Sequence, residues 1–478
     1  MRRNFYFKLL YTLTASILVL SLFAADSFSY YRRQYVPDEV IVKFKDQEPE
    51  ARIHNIIGAN GAHLIRKSRS AGFHLIKTSG GKTPEQMVEL LQQDPDVEYA
   101  ELNYYAHAAF VPNDPLYINQ WNFNKDNGIN IEPVWDLTTG DPNVIIAVID
   151  SGVAYEDYNE YHLAPDLANT HFVPGYDFIN DDNHPNDDEG HGTHVCGTIA
   201  ESTNNGLGVA GIAFNCSIMP VKVLDVNGNG PYSAVVDGIH FAVDNGAKVI
   251  NLSLAGDTDS WALKNAVKYA YENDVTVVAA AGNDYLNGNP PRYPAAYDQY
   301  CIAVGATRYN RTRATYSNTG SYVDLVAPGG DTSAGGHTYH DGILQQTIYG
   351  DPATFQYRLY TGTSMATPHV SAVAGLLAST GVTSPDSIRE ALQNTAIDLG
   401  APNRDDEYGY GIINAFAAIR YFATPGDFNF DGLVDFADLK ILCDHWLQNA
   451  PGIEIYPPGG DGNIDFFDYN MFVNLLPQ

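Results

Sequence analysis

Between about residues 110 and 422, short and mostly apolar runs recur at 144–149, 221–224, 249–254, 275–280 and 302–304. Stretches with helical periodicity fall between or after them, at 233–245, 260–273 and 364–379. A half-exposed strand alternates apolar and polar side chains, whereas a strand apolar along its length is covered on both faces. Such strands alternating with helices predict an α/β fold with a doubly wound, mostly parallel sheet. At 478 residues the chain exceeds one core and suits two to four domains.

Three further segments surround this region. Arg2, Arg3 and Lys8 precede an apolar stretch at 9–25 followed by small residues, the layout of a secretory signal. Residues 1–29 are assigned to it and export is the expectation, with an uncleaved membrane anchor as the other reading. In residues 30–107 strands are predicted at 40–44, 73–77 and 97–102, and a helix from Thr83, where Thr83 and Gln86 make a capping box around Pro84. This is a small α+β unit with an expected βαββαβ, ferredoxin-like order. The sheet region is taken as 108–423. At Thr424-Pro425-Gly426 the pattern breaks, and 424–478 form a short acidic module with an apolar helix at 439–447.

Charge narrows the partners. The chain has 27 Lys and Arg against 57 Asp and Glu, of which 13 and 12 fall in residues 1–107, leaving 14 against 45 in the remainder. That balance excludes nucleic acid as a partner and favours solubility and bound cations. Cys196, Cys216, Cys301 and Cys443 match no metal or redox spacing. Buried free thiols are expected, although export permits a disulfide.

Hydrolysis of an amide by serine needs a hydroxyl, an imidazole to take its proton, a carboxylate to orient the imidazole, and donors for the oxyanion. Asp150 ends the run 144–149 and is followed by Ser151-Gly152, at the carboxyl edge of a buried strand where open α/β sheets build their sites. His191 lies in Gly190-His191-Gly192-Thr193-His194-Val195, at the head of a predicted helix. Ser364 lies in Gly362-Thr363-Ser364-Met365-Ala366-Thr367-Pro368-His369, where small neighbours admit a substrate and the following helix directs its amino-terminal dipole at the nucleophile.

In this order, and over roughly 300 residues, these three motifs resemble the subtilisin-like serine proteases, the subtilase family. The resemblance implies an Asp150–His191–Ser364 triad in an endopeptidase acting through an acyl-enzyme. It also makes Asn283, in Ala279-Ala280-Ala281-Gly282-Asn283, the oxyanion donor beside the Ser364 backbone N–H. His194 is expected to be structural, because the family's base is the first histidine of the motif. A peptide or protein substrate would lie as an added strand against Ser253, Leu254 and Ala255 on one side and residues 226–230 on the other, where Gly228 and Gly230 carry no obstructing side chain. Arg292 falls where the family places the floor or rim of the first specificity pocket. It has two readings, selection of acidic side chains and a surface arginine reaching water. The unit at 30–107 resembles the family's inhibitor propeptide, so the chain's own propeptide is an expected partner, covering the site until removed. Self-cleavage is then expected between about residues 105 and 111.

By the same resemblance a structural Ca2+ would draw on Asp114, Asp166 and the loop of Thr203, Asn205, Leu207 and Val209 in a set of hard oxygen ligands; no organic cofactor is expected. A second calcium loop is readable from the residues themselves. Asp427, Asn429, Asp431, Leu433, Asp435 and Asp438 fall at loop positions 1, 3, 5, 7, 9 and 12, with Gly432 at position 6. The loop resembles a dockerin repeat, and a copy at 461–468 has Pro457 and Gly459 where its first two ligands belong. A dockerin implies a cohesin-like scaffold partner, and thus attachment to a scaffold or cell surface. A calcium-stabilised tail is the other reading. The whole chain has two rival readings, a scaffold-attached component and a catalytically silent subtilisin-like binding protein.

Overall fold

The computed structural model describes residues 35–45, 48–68, 71–79, 81–104, 110–332 and 342–422, with positions 434 and 438. Residues 1–29, expected to be a signal, and nearly all of the expected carboxyl-terminal module lie outside these residues. The chain divides into two compact units, residues 1–108 and 109–478.

The first unit runs β1 (Tyr35–Phe44), α1 (Glu50–Ala59), β2 (Ala62–Lys67), β3 (His74–Thr78), α2 (Pro84–Gln92) and β4 (Val97–Tyr104). Its sheet order is β2-β3-β1-β4, with each neighbouring pair antiparallel. At the head of α2 the Thr83 hydroxyl accepts from Gln86 N, and Gln86 Oε1 accepts from Thr83 N. The predicted capping box therefore forms. Val40, Val42, Ile76, Met87 and Leu91 are buried between sheet and helices. Sequence reading located β1, β3, β4 and α2, while α1 and β2 entered only through the expected βαββαβ order, β2 burying little beyond Ala62 and leaving Ile65 exposed.

The second unit is built on β5 (Ile145–Asp150), β6 (His171–Phe172), β7 (Tyr176–Asp177), β8 (Ser217–Lys222), β9 (Val249–Leu252), β10 (Thr276–Ala280), β11 (Ile302–Thr307) and β12 (Leu325–Pro328). Their order is β12-β11-β10-β9-β5-β8-β6, with β7 also on β8, and every pairing is parallel. Side chains along a strand alternate between faces. In β5, Ile146 and Val148 join one core, with α3 (His191–Ala200) and α6 (Thr363–Ser379). Ala147 and Ile149 join the other, with α4 (Tyr232–Asp244) and α5 (Trp261–Glu272). Each isoleucine fully removed from water contributes roughly 1.5–3 kcal/mol, which explains why both faces are apolar. Two short helices, α7 (Pro385–Asn394) and α8 (Ala415–Ile419), pack at the carboxyl end of this unit.

The structure corrects three readings. The apolar run at 221–224 is the end and exit of β8, which begins at Ser217 and holds Pro220 and the buried Lys222. β12 was not predicted. Nor was the antiparallel hairpin of β13 (Ile343–Tyr349) and β14 (Asp351–Tyr360), whose outer strand is exposed or half-buried throughout and so carries little apolar pattern. Cys196, Cys216 and Cys301 are buried free thiols. Among the described residues no helix is long and apolar enough to cross a membrane.

Candidate active site

Asp150 is the last residue of β5 and is fully buried. Its Oδ1 accepts from Ser151 N at 2.8 Å and pairs with His191 Nδ1 at 2.7 Å. His191 opens α3, directly after Gly190 with φ +108°, a conformation favouring glycine. A Cβ on Gly192 would lie 2.1 Å from the Gly152 carbonyl oxygen and 3.1 Å from Asp150 Cβ. The loop after the acid and the helix of the imidazole thus touch backbone to backbone. Burial alone would lower the pKa of His191. The charge and hydrogen bond of Asp150, with Glu189 and Asp187 adding to them, outweigh it and raise the imidazole to about 9.

Ser364 is the second residue of α6. Pro368, four residues on, has no N–H to give the Ser364 carbonyl, and Ser253 Oγ donates there instead at 2.8 Å. Ser364 Oγ in return donates to the Ser253 carbonyl at 3.0 Å. The turn that carries Ser364 is therefore tied to the exit of β9. Asn283 Oδ1 accepts from both Thr363 N and Thr363 Oγ at 2.9 Å, so the amide nitrogen is the end left for the cleft. A Cβ on Gly362 would lie 3.5 Å from Asn283 Nδ2 and 3.6 Å from Ser364 N, so these two donors flank one point. His191, Asn283 and Ser364 line a single cleft of about 480 Å3 with Thr332, Leu359, Tyr360, Thr361 and Met365.

Leu359, Tyr360 and Thr363 were missed in the sequence. Thr363 stands inside the serine motif, but its task depends on Asn283, distant in the chain. The tyrosine-rich run from 349 to 360 was the signal for the hairpin that brings Leu359 and Tyr360. His194 is buried, its Nε2 lies 3.1 Å from the Ile343 carbonyl and 3.2 Å from that of Arg358, and its ring stacks on Tyr360 at 4.4 Å. Burial pushes it down to about 3. It braces the hairpin against α3.

Ser253, Leu254 and Ala255 follow β9, and the next residue, Gly256, exchanges backbone bonds of 2.8 and 3.0 Å with Tyr293. Gly228 has φ +71° and open space where a Cβ would stand. Gly230 differs from expectation, because a Cβ there would meet the Val223 carbonyl at 1.8 Å. It serves close packing. Arg292 lies against Gly282 and is only 14% exposed; its guanidinium is engaged by Asp257 and by Asp284, the latter at 2.7 Å. It is neither a lone cation nor a side chain reaching water.

Five of the six residues expected around this unit's metal gather in one place, whereas Thr203 Oγ donates to the Glu201 carbonyl and accepts from Gly211 N. Asn205 N donates to Asp114 Oδ1 at 3.1 Å, Asn205 Nδ2 to Asp166 Oδ1 at 2.8 Å and Val209 N to Asp166 Oδ2 at 3.0 Å, while Leu207 N donates to Asn205 Oδ1 at 2.7 Å. Asp114 and Asp166 are buried. Burial, with the Asp114 charge adding to it, raises Asp166 to about 6. Two buried carboxylates and one amide oxygen are hard donors of the kind calcium takes, and in this structure all of them accept from N–H groups, Asp114 Oδ2 from Asn204 N at 2.8 Å. Among the described residues no three His, Cys, Asp or Glu side chains cluster as metal ligands. Asp427, Asn429, Asp431, Leu433 and Asp435 lie outside the described residues, and Asp438 is buried.

Residues 141–411 match the Subtilase family and residues 28–103 the fervidolysin N-terminal prodomain. The chain is 39% identical over 397 residues to a thermophilic serine proteinase of Bacillus sp. (strain AK1), covering 82% of this chain and 90% of that one. It is 40% identical over 313 residues to thermitase of Thermoactinomyces vulgaris, covering 65% of this chain and all of that one. Among solved structures, proteases from Pseudoalteromonas arctica superpose with a TM-score of 0.57 at 34% identity, over 65% of this chain and 99% of theirs. The chain belongs to the subtilase family of serine peptidases and carries a fervidolysin-like prodomain ahead of its catalytic unit.

Proposed function

We propose that the protein is a secreted endopeptidase in which Asp150, His191 and Ser364 are the catalytic triad and Asn283 the side-chain oxyanion donor. The observation that carries this reading is the 2.7 Å His191–Asp150 bond opening on the cleft that also holds Ser364 and Asn283. Asp150 keeps the proton on Nδ1, so Nε2 is the acceptor for the Ser364 proton. Ser364 Oγ leaves the Ser253 carbonyl by rotation about χ1 and attacks the scissile carbonyl. The resulting oxyanion meets Asn283 Nδ2 and Ser364 N, and His191 returns its proton to the leaving amine. Water then repeats the sequence on the acyl-enzyme. Substrate backbone lies along Ser253, Leu254 and Ala255. Arg292, shared by Asp257 and Asp284, leaves no net positive charge to select acidic side chains.

The prodomain, in a ferredoxin-like arrangement, inhibits the site until it is removed after self-cleavage between about residues 105 and 111. Secretion is supported by the signal-like residues 1–29 and by the likeness to a halolysin-like extracellular serine protease of Natrialba magadii, 36% identical over 399 residues. Asp114, Asp166, Asn205, Leu207 and Val209 would hold a Ca2+ ion, which would supply rigidity rather than chemistry. Residues 424–478 form the dockerin-like calcium module, with a cohesin-like scaffold as its partner. A fluorophosphonate probe is expected to label the mature protein and to leave Ser364→Ala unlabelled. A mature wild type that stays unlabelled would refute the triad.

A further inference from the structure

Behind the Asp150–His191 pair lies a buried charged assembly that the chemistry above does not use. Asp187 is 1% exposed. Its Oδ1 accepts from Ser151 Oγ at 2.9 Å, Glu189 N at 3.1 Å and Gly190 N at 2.9 Å. Its Oδ2 accepts from Thr193 N at 2.9 Å and Thr193 Oγ at 2.6 Å. Ser151 Oγ in turn accepts from Gly192 N at 2.9 Å, and Thr193 Oγ from Ala154 N at 3.0 Å. Lys222, at the end of β8 beside β5, is fully buried and donates to the Ser151 carbonyl and to Asp188 Oδ1, each at 2.6 Å.

Burying an ammonium and a carboxylate is costly unless their protons and lone pairs are matched. Here the matching has a pattern. Every donor to Asp187 belongs either to the residue after Asp150 or to one within two of His191. The first turn of α3 lacks intrahelical partners for its N–H groups. Those of His191, Gly192 and Thr193 go to Glu189, Ser151 and Asp187 in turn.

We propose that Asp187 is a positioning residue for catalysis, locking the loop after Asp150 to the first turn of α3 through Ser151 and Thr193. The lock holds the register in which His191 Nδ1 meets Asp150 Oδ1. It rests on the triad reading. The Asp187 charge also bears on the imidazole. The groups around His191 are Asp150 from β5, Asp187 and Glu189 from the preceding segment, His194 along α3, and Tyr360 from β14, which lines the same cleft, while Lys222 of β8, paired with Asp188 of the preceding segment, acts on Asp187. Asp187 is among those that hold the imidazole protonated to higher pH. Removing its charge therefore lets His191 lose its proton at lower pH.

The test uses the full chain, matured and quantified by fluorophosphonate titration, with turnover of a peptide p-nitroanilide followed against pH. Asp187→Asn is expected to lower kcat by about 100-fold with KM within about threefold, since misplacing catalytic groups by about 1 Å costs that much. Its acid limb is expected to move to lower pH. Ser151→Ala, which keeps the carboxylate but breaks the bridge, is expected to lower kcat by about tenfold with the limb unmoved, and Ser151→Thr to restore it. Wild-type kcat in Ser151→Ala overturns the proposal, as does Asp187→Asn with only its melting temperature changed. If Asp187→Asn does not fold, the Ser151 pair decides alone. Labelled wild type with unaltered variants sinks this proposal only, whereas unlabelled wild type sinks the triad and the lock together.

Discussion

Replacing Asp150 by asparagine keeps the shape of the carboxylate and one acceptor for His191 Nδ1 while deleting its charge. The structure sets the scale of the effect. His191 is raised from its ordinary 6.5 to about 9 although burial pulls the other way, and Asp150 is the largest of the opposing influences. That rise corresponds to roughly 3 kcal/mol of preference for the imidazolium, the form His191 takes when it accepts the Ser364 proton. Losing it is expected to lower kcat by about 10²–10³. The base must be neutral to act, so wild-type activity rises as pH climbs toward about 9. In Asp150→Asn that limb moves to lower pH while the plateau falls. Peptide p-nitroanilide turnover from pH 5 to 11 (roughly the span in which a perturbed histidine titrates) reads both. A plateau within fivefold of wild type, or a limb that stays in place, would refute the assignment of Asp150 as the charge that holds the imidazolium.

Two further outcomes are expected. Asn283→Ala should lower kcat by about 10²–10³ with KM little changed, a range established for an oxyanion donor in a subtilisin rather than worked from this structure; a loss confined to KM counts against the role. Chelation of calcium should lower the melting temperature of the mature protein, since a ligand bound only by the folded state stabilises it. Asp166→Asn should diminish that difference, leaving the part owed to the calcium loop at 427–438, and an undiminished chelator response in the variant excludes the Asp114–Asp166 site.

The central sheet was legible because β5, β9, β10 and β11 are apolar enough to demand cover on both faces, and Thr83 with Gln86 announced a helix by local bonds alone. β8 was read in part because Pro220 and Lys222 look foreign to a buried strand. Lys222 fits only because Asp188 and the Ser151 carbonyl, both distant in sequence, receive its protons. Asp150, His191, Ser364 and Asn283 were singled out from motif context, and the fold pairs His191 with Asp150 and sets His191, Ser364 and Asn283 on one cleft. Thr363, Tyr360 and Asp187 were not, since each acts through a partner that only the folded chain supplies. Gly230 was found for the wrong reason, because the Val223 carbonyl that excludes a side chain there is a tertiary neighbour.

The acid stands at the end of β5, the imidazole at the head of α3 and the hydroxyl at the head of α6. Ser364, the proposed nucleophile, is thus the last of the three to be synthesised. A nascent chain emerging from its amino terminus has no reactive hydroxyl on display until β12 and the β13–β14 hairpin have already left the ribosome, and by then the prodomain is long complete. Order along the chain thereby supplies a timer, and biosynthesis is over for most of the molecule before it is able to cut.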